Sequence, residues 1–334
     1  MSSVLPRVLI GLVALSGAIW LGGALFQPSA PPAEQRRWTS SKDCQECHSE
    51  VYAEWEDSWH AKSFIDPDVR EQSKEFSNTD CIDCHAPKPV FVTGVGKRVL
   101  PRADRRREGV DCLSCHLLPN GDIAGTITNE KAACRPVATR DLTNVDFCGV
   151  CHNQHKTVDQ WRATHYAQEG TGCVECHMPH RDGDVNKGRY HQMAGGHDLN
   201  LIRASVLLRA RREGAKVTVE VENESVGHAY PTDERSRASD VWWRPVDTED
   251  WHHLYRIRDP YRYETDLPRT LLDAGVTKVL TIEEPAANQE IEVMLVYKLS
   301  PYYRLPGTGE PISVGEVVDP LMDSQEVHRV VVPE

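Results

Sequence analysis

The chain has 334 residues, enough for about two domains, and a formal net charge of −12. That acidity argues against nucleic acid as a partner and suits a surface that meets basic patches on other proteins. Only 7% of residues are aromatic, and residues 40–200 are polar with few long apolar runs, so that half could hardly bury an ordinary core.

In chain order, residues 8–26 (VLIGLVALSGAIWLGGALF) come first, an uncharged apolar run of 19 preceded by Arg7. It is just long enough to cross a bilayer as a helix, so residues 1–26 read as a membrane anchor. The alternative is a signal segment cut near Ala30 or Ala33. Both readings export the rest of the chain. Residues 27–40 read as a Pro-rich tether.

Five copies of Cys-x-x-Cys-His follow: Cys44/Cys47/His48, Cys81/Cys84/His85, Cys112/Cys115/His116, Cys148/Cys151/His152 and Cys173/Cys176/His177. This is the attachment signature of c-type haem. The paired thiols add across the haem vinyl groups, and the histidine binds the iron from the proximal side. Zinc binding or a disulfide framework would not require a histidine directly after every second cysteine. Five covalent haem c groups are expected, and ten of the eleven cysteines are then used. The odd one, Cys134, is expected to be a buried, inert thiol. In bacteria this attachment takes place in the periplasm. The large flat haems would supply the apolar body that residues 41–200 lack.

Short helical patterns alternate with Pro and Gly breaks between the motifs. A weak internal repeat places Trp55, Trp59 and His60 after the first motif, and Trp161 and His165 after the fourth. Arg102, Arg105, Arg106 and Arg107 precede the third motif. They read either as a solvated basic loop or as partners for haem propionates or an acidic protein.

A low-spin haem needs a second axial ligand, usually His or Met. His60 and His165 are candidates from the repeated Trp element. His191 and His197 flank Gly195 and Gly196, which would permit close approach of backbone to haem. His228 lies between a strand and a Pro-stopped turn. His155 and His180 could replace one of these, Met193 is a weaker alternative, and His252, His253 and His328 read as ordinary strand or surface residues.

After residue 200 the pattern changes. Residues 204–225 alternate apolar and polar residues around a Glu-Gly-Ala turn, which predicts a hairpin. Further strands are expected at 238–247, 252–259, 277–284 and 290–299. Six to seven strands in 201–334 predict an antiparallel β-sandwich. The fold class is therefore α+β: a membrane helix, a haem-packed domain of short helices and irregular chain, and a C-terminal sandwich.

The segment CQECHSEVYAEWEDSWHAKSF (44–64) resembles the opening of periplasmic multihaem cytochromes related to the tetrahaem electron acceptor of hydroxylamine oxidoreductase. GTGCVECHMPH (170–180), then HQMAGGHD and GHAYPT, resembles a branch of that superfamily with a C-terminal β-domain. The resemblance implies covalent haem c, mostly bis-histidine ligation, closely stacked haem pairs and electron transfer. The histidines that serve as distal ligands in such segments match His60, His197 and His228, with His165 added by the internal repeat. The chain departs from the pattern in having five motifs rather than four, Asp233 where Gly often follows Pro-Thr, and no serine in the second Trp element.

The expected function is electron transfer along closely spaced haems on the periplasmic face of the membrane. The expected partners are other redox proteins, such as a membrane quinol dehydrogenase or periplasmic cytochromes. Two alternatives stand beside it: an oxidoreductase acting on a small nitrogen compound or oxyanion at one open haem, and a structural subunit of a larger cytochrome assembly. The Cys-x-x-Cys-Lys variant of nitrite reductases is absent.

Overall fold

A computed structural model describes residues 38–231, 235–283 and 289–334. The apolar run 8–26 and most of the tether lie outside the described residues. Among those described, no helix is long and apolar enough to cross a membrane.

The first half is built from short helices, and most of the attachment motifs close one. The helices Asp80–His85, Cys112–His116, Val145–His152 and Cys173–His177 each end on the motif histidine. Three-residue spacing puts both cysteines of a motif on one helical face. Side-chain caps begin two of them, at Asn144 and at Asp111. The Asp111 carboxylate accepts from the Ser114 amide at 2.7 Å, and the Ser114 hydroxyl accepts from the Asp111 amide at 3.2 Å. That reciprocal cap begins the third motif's helix. The first motif differs: Lys42–Gln45 stops inside it, and His48 instead caps the helix Ser49–Asp57.

Apolar burial in this half is divided among small clusters, several of which include a motif cysteine, such as Phe76, Ile82 and Ala86 with Cys81. The two regular strands here, β1 (Ile123–Gly125) and β2 (Pro136–Ala138), form a short parallel pair.

The helix Leu199–Ser205 leads into the sheets, with Asp198 capping it through the Asn200 and Leu201 amides. The hairpin is β3 (Leu207–Glu213) and β4 (Lys216–Glu222), turning at Gly214 with φ 63°. Then come β5 (Ala238–Pro245), β6 (His252–Arg258), β7 (Thr277–Ile282) and β8 (Ile291–Lys298). A two-residue pair, β9 (Tyr303–Arg304) and β10 (Pro311–Ile312), precedes β11 (Gln325–Val332). The order β11-β8-β5-β6 makes one antiparallel sheet and β3-β4-β7 the other.

Strand β8 is buried along its whole length, and its period-two alternation explains why. Ile291, Val293, Leu295 and Tyr297 face Val217, Val219 and Val221 in the core shared by the two sheets. Met294 and Val296 face the other way, under Trp242, Tyr303 and Val317. The sheets thus pack as a sandwich with an extra cover of irregular chain on the larger one. Helix Leu199–Ser205 buries Ile202 in the shared core, and Arg203 donates to the carbonyls of Glu326 and Val327 on β11. The described residues from Trp38 to Glu334 form a single compact unit.

Candidate functional site

The repeated Trp element shows how a ligand histidine is presented. The Trp55 indole donates to the Val110 carbonyl at 2.8 Å, which ties helix Ser49–Asp57 to the chain before the third motif. The Ser58 hydroxyl accepts from the Ala61 amide and caps the helix Trp59–Lys62. His60 takes the second position of that helix, and its carbonyl accepts from the Val110 amide at 2.8 Å. Gly109 (φ 58°) lies so close that a Cβ there would collide with the carbonyl oxygens of His60 and Ala61. The result is a His60 ring held beside His152, ring centres 6.0 Å apart.

Two further pairs have the same form. His116 and His191 face each other at 6.3 Å, and His177 and His228 at 6.4 Å with ring planes 13° apart. Metal–imidazole bonds of about 2 Å on each side would put two rings on one iron roughly 6 Å apart, centre to centre. The spacing fits an iron between each pair.

The second nitrogen of these rings points the same way. His116 Nδ1 meets the Ala124 carbonyl at 2.8 Å, and His177 Nδ1 meets that of Ala194 at 2.6 Å. His191 and His228 make the equivalent contacts with Arg189 and Ala229, both at 2.9 Å. His85 Nδ1 does so with Ser63 at 2.7 Å. Donating Nδ1–H to a carbonyl leaves Nε2 as the lone-pair donor a metal requires. Burial also keeps the rings neutral. It pushes His60 down to about 3 and both His191 and His228 down to about 4, and it lowers His116 as well.

The motif cysteines meet across motifs. Cys44 contacts Cys112, Cys84 contacts Cys151, and Cys148 contacts Cys173. Cys115 is also close to Cys148 and Cys151.

Cys47 departs from this pattern. It is exposed, whereas its motif partner Cys44 is half-buried against Cys112. The helix Lys42–Gln45 ends before Cys47. The Cys47 amide still donates to the Cys44 carbonyl at 3.3 Å, which keeps the one-turn spacing of the pair. Cys176 is the other exposed motif cysteine, although its helix runs through to His177.

Two candidate distal ligands lie away from any motif histidine. His165 occupies the first position of its helix, His165–Glu169, which Trp59 holds in the earlier copy. One residue on a helix is about 100° of rotation. His165 accordingly lies against Tyr166, at 4.0 Å between ring centres. His197 stacks on Trp59 at 3.5 Å, with Nε2 3.3 Å from the Arg237 guanidinium. In the Arg102–Arg107 run, Arg107 is exposed, whereas Arg102 and Arg105 turn inward. Arg102 is 2% exposed and donates to the carbonyls of Pro87, Arg105 and Gly109, while Arg105 pairs with the buried Asp111 at 2.7 Å. Both are drawn inward by the carboxylate that caps the third motif's helix. Cys134, expected to be buried, is half-buried, with its thiol free.

Sequence reasoning missed the buried network around Asp240. That carboxylate accepts from Arg256 at 2.8 Å and from the Tyr303 hydroxyl at 3.0 Å, with His253 at 3.1 Å. Lys298 lies fully buried beside it, over the Tyr303 ring, and burial pushes its ammonium down to about 8. An Asp and a Lys at alternating strand positions expected to be apolar were the available signal.

Motifs and facing rings are what a multihaem c-type cytochrome would need. Residues 43–117 match the family described as cytochrome c554 and c-prime, a span covering the first three motifs. The crystal structure of a penta-heme cytochrome c552 from Thermochromatium tepidum is similar in fold: TM-score 0.63 at 19% identity, covering 89% of this chain and 99% of that one. No curated protein matches the sequence.

Proposed function

We propose that the chain carries five haem c groups and passes electrons along them between redox partners on the periplasmic side of the membrane. The observation that carries this reading is the set of contacts between motif cysteines, which joins the attachment sites into one connected series. Haem c supplies an iron that cycles by one electron. The chain supplies the rest. Each Cys pair would hold a haem, each motif histidine would bind its iron, and His191, His60 and His228, which face His116, His152 and His177, would supply second ligands. The carbonyl acceptors orient the rings, and the apolar clusters exclude water.

The acidic surface supports docking to basic patches on partners, with a membrane quinol dehydrogenase or other periplasmic cytochromes as the proposed class. The apolar run 8–26 supports a membrane anchor, and the haem motifs support export.

A second reading concerns His48 and His85. An iron at either without a second protein ligand would be open to a small nitrogen compound or oxyanion. His165 and His197 are the proposed ligands that would close them.

Low-temperature EPR of the purified holoprotein tests both readings. Electron transfer alone predicts low-spin signals at every site and no spectral change with nitrite or hydroxylamine. A high-spin signal that such a ligand abolishes would establish the open site. Metal analysis giving fewer than five irons per chain would overturn the count.

A further inference from the structure

The turn at residues 192–196 touches two of the facing pairs at once. Met193 has left-handed backbone, φ 49°, which a side chain of this size adopts only at a cost. Such strain persists where the surroundings hold it in place. Here they do: Met193 packs on Tyr52, Trp55 and Ala61, the residues around His60. It also lines the cavity beside Cys176 and His177. The conformation has two results. The Met193 sulfur lies on Nδ1 of His60, and the next carbonyl, that of Ala194, receives Nδ1 of His177.

His60 is therefore unlike its counterparts. His116, His177, His191 and His228 each direct Nδ1 at a backbone carbonyl. A carbonyl acceptor makes an imidazole a more basic ligand. A thioether is a weak acceptor, so His60 is left the poorer electron donor. An iron with a poorer axial donor is easier to reduce. The position of this site gives the difference its weight. Cys151 meets Cys84 and Cys148 meets Cys173, with Cys115 near both, so the His152 site is the junction of the series.

We propose that Met193 is a positioning residue that acts through His60 to make the His152 site the highest in potential of the three facing pairs. Electrons then collect at the junction before they leave it. This rests on the axial assignment proposed above.

The test is spectroelectrochemistry of the holoprotein, read by EPR at stepped potentials, on wild type, Met193→Gln and Met193→Leu. Gln offers His60 an amide oxygen, whereas Leu offers no acceptor. One low-spin component, the highest of the facing pairs, should move to lower potential in Met193→Gln, stay or rise in Met193→Leu, and leave the others in place. If Met193→Gln moves nothing, or both variants move one component in the same direction, the proposal is overturned, the latter result being a packing effect. His60→Ala separates the two levels. If it converts no low-spin signal, the axial assignment fails and the proposal falls with it. If it converts one while Met193→Gln moves nothing, only the role of Met193 is lost.

Discussion

Single side chains decide how closely the attachment segments approach one another. Gly109 is the clearest case, because any Cβ there would meet the His60 and Ala61 carbonyls. Gly109→Ala should cost about 3 kcal/mol or more through overpacking and backbone strain together. A fall in thermal midpoint, with loss of the low-spin signal from the His152 site, would show it. Lys298 gives a pH signature. Its folded value of about 8 lies below the usual 10.5, so the folded state releases a proton first as pH rises. Below about 8 both states are charged and the burial cost is complete. Between about 8 and 10.5 the unfolded state binds more protons, so stability rises with pH, by an amount on the order of 3 kcal/mol. Chemical denaturation of wild type and Lys298→Met across that window checks the sign, since the variant should lack this gain.

At the scale of elements, the helix Cys112–His116 depends on its cap. Asp111 both begins the helix and pairs with Arg102, which is buried, and Arg105, which is partly exposed. Asp111→Ala should cost about 3–5 kcal/mol, because it removes a cap and leaves the buried Arg102 guanidinium without its carboxylate, while Arg105 keeps Asp104. Calorimetry checks this; a loss under about 1 kcal/mol would mean the arginines find water. Elements also show what the sequence could and could not reveal. The strand expectations at 204–225, 238–247, 252–259 and 290–299 match β3 to β6 and β8, because alternation carries directly into burial. Strand β11 was missed: Gln325, Glu326, His328 and Arg329 mask its pattern, and it pairs with β8 at a register shift. The facing of His60, His191 and His228 was within reach of motif reading. So was the one-residue offset of His165 against His60, since His60 follows Trp55 by five residues and His165 follows Trp161 by four. The exposure of Cys47 was not, since the shared motif gives no sign that the first helix stops short.

Across the whole molecule, the two halves are joined at the loop that carries His228, a proposed ligand. Asn223 donates to the His228 carbonyl and to that of Leu272, and the Ala229 amide donates to Gln160. Tyr166 donates to the Ser225 carbonyl, so the loop carrying His228 is fixed from both sides. His228→Ala should convert the His177 site alone to high spin and leave the sandwich's melting within about 1 kcal/mol. EPR and far-UV circular dichroism on the same sample would decide; unchanged low-spin intensity would mean another ligand serves. The net charge of −12 makes a further prediction. Electron transfer with a basic partner should slow as ionic strength rises, since exposed charges are screened within a Debye length of about 8 Å at 0.15 M salt. Stopped-flow rates that are flat with salt would remove electrostatic docking.

The facing pairs also imply an order of maturation. A chain made from its N-terminus produces His60 before His152, so the junction site meets its second ring as soon as its own motif exists. His116 must wait for His191, and His177 for His228, which arrives only with the sandwich. A nascent cytochrome would thus complete its centre first and its flanks last. Until the final strands fold, it would expose unfinished iron able to bind carbon monoxide or react with peroxide, which makes prompt folding of the haem-free half a safeguard for the haem-bearing one.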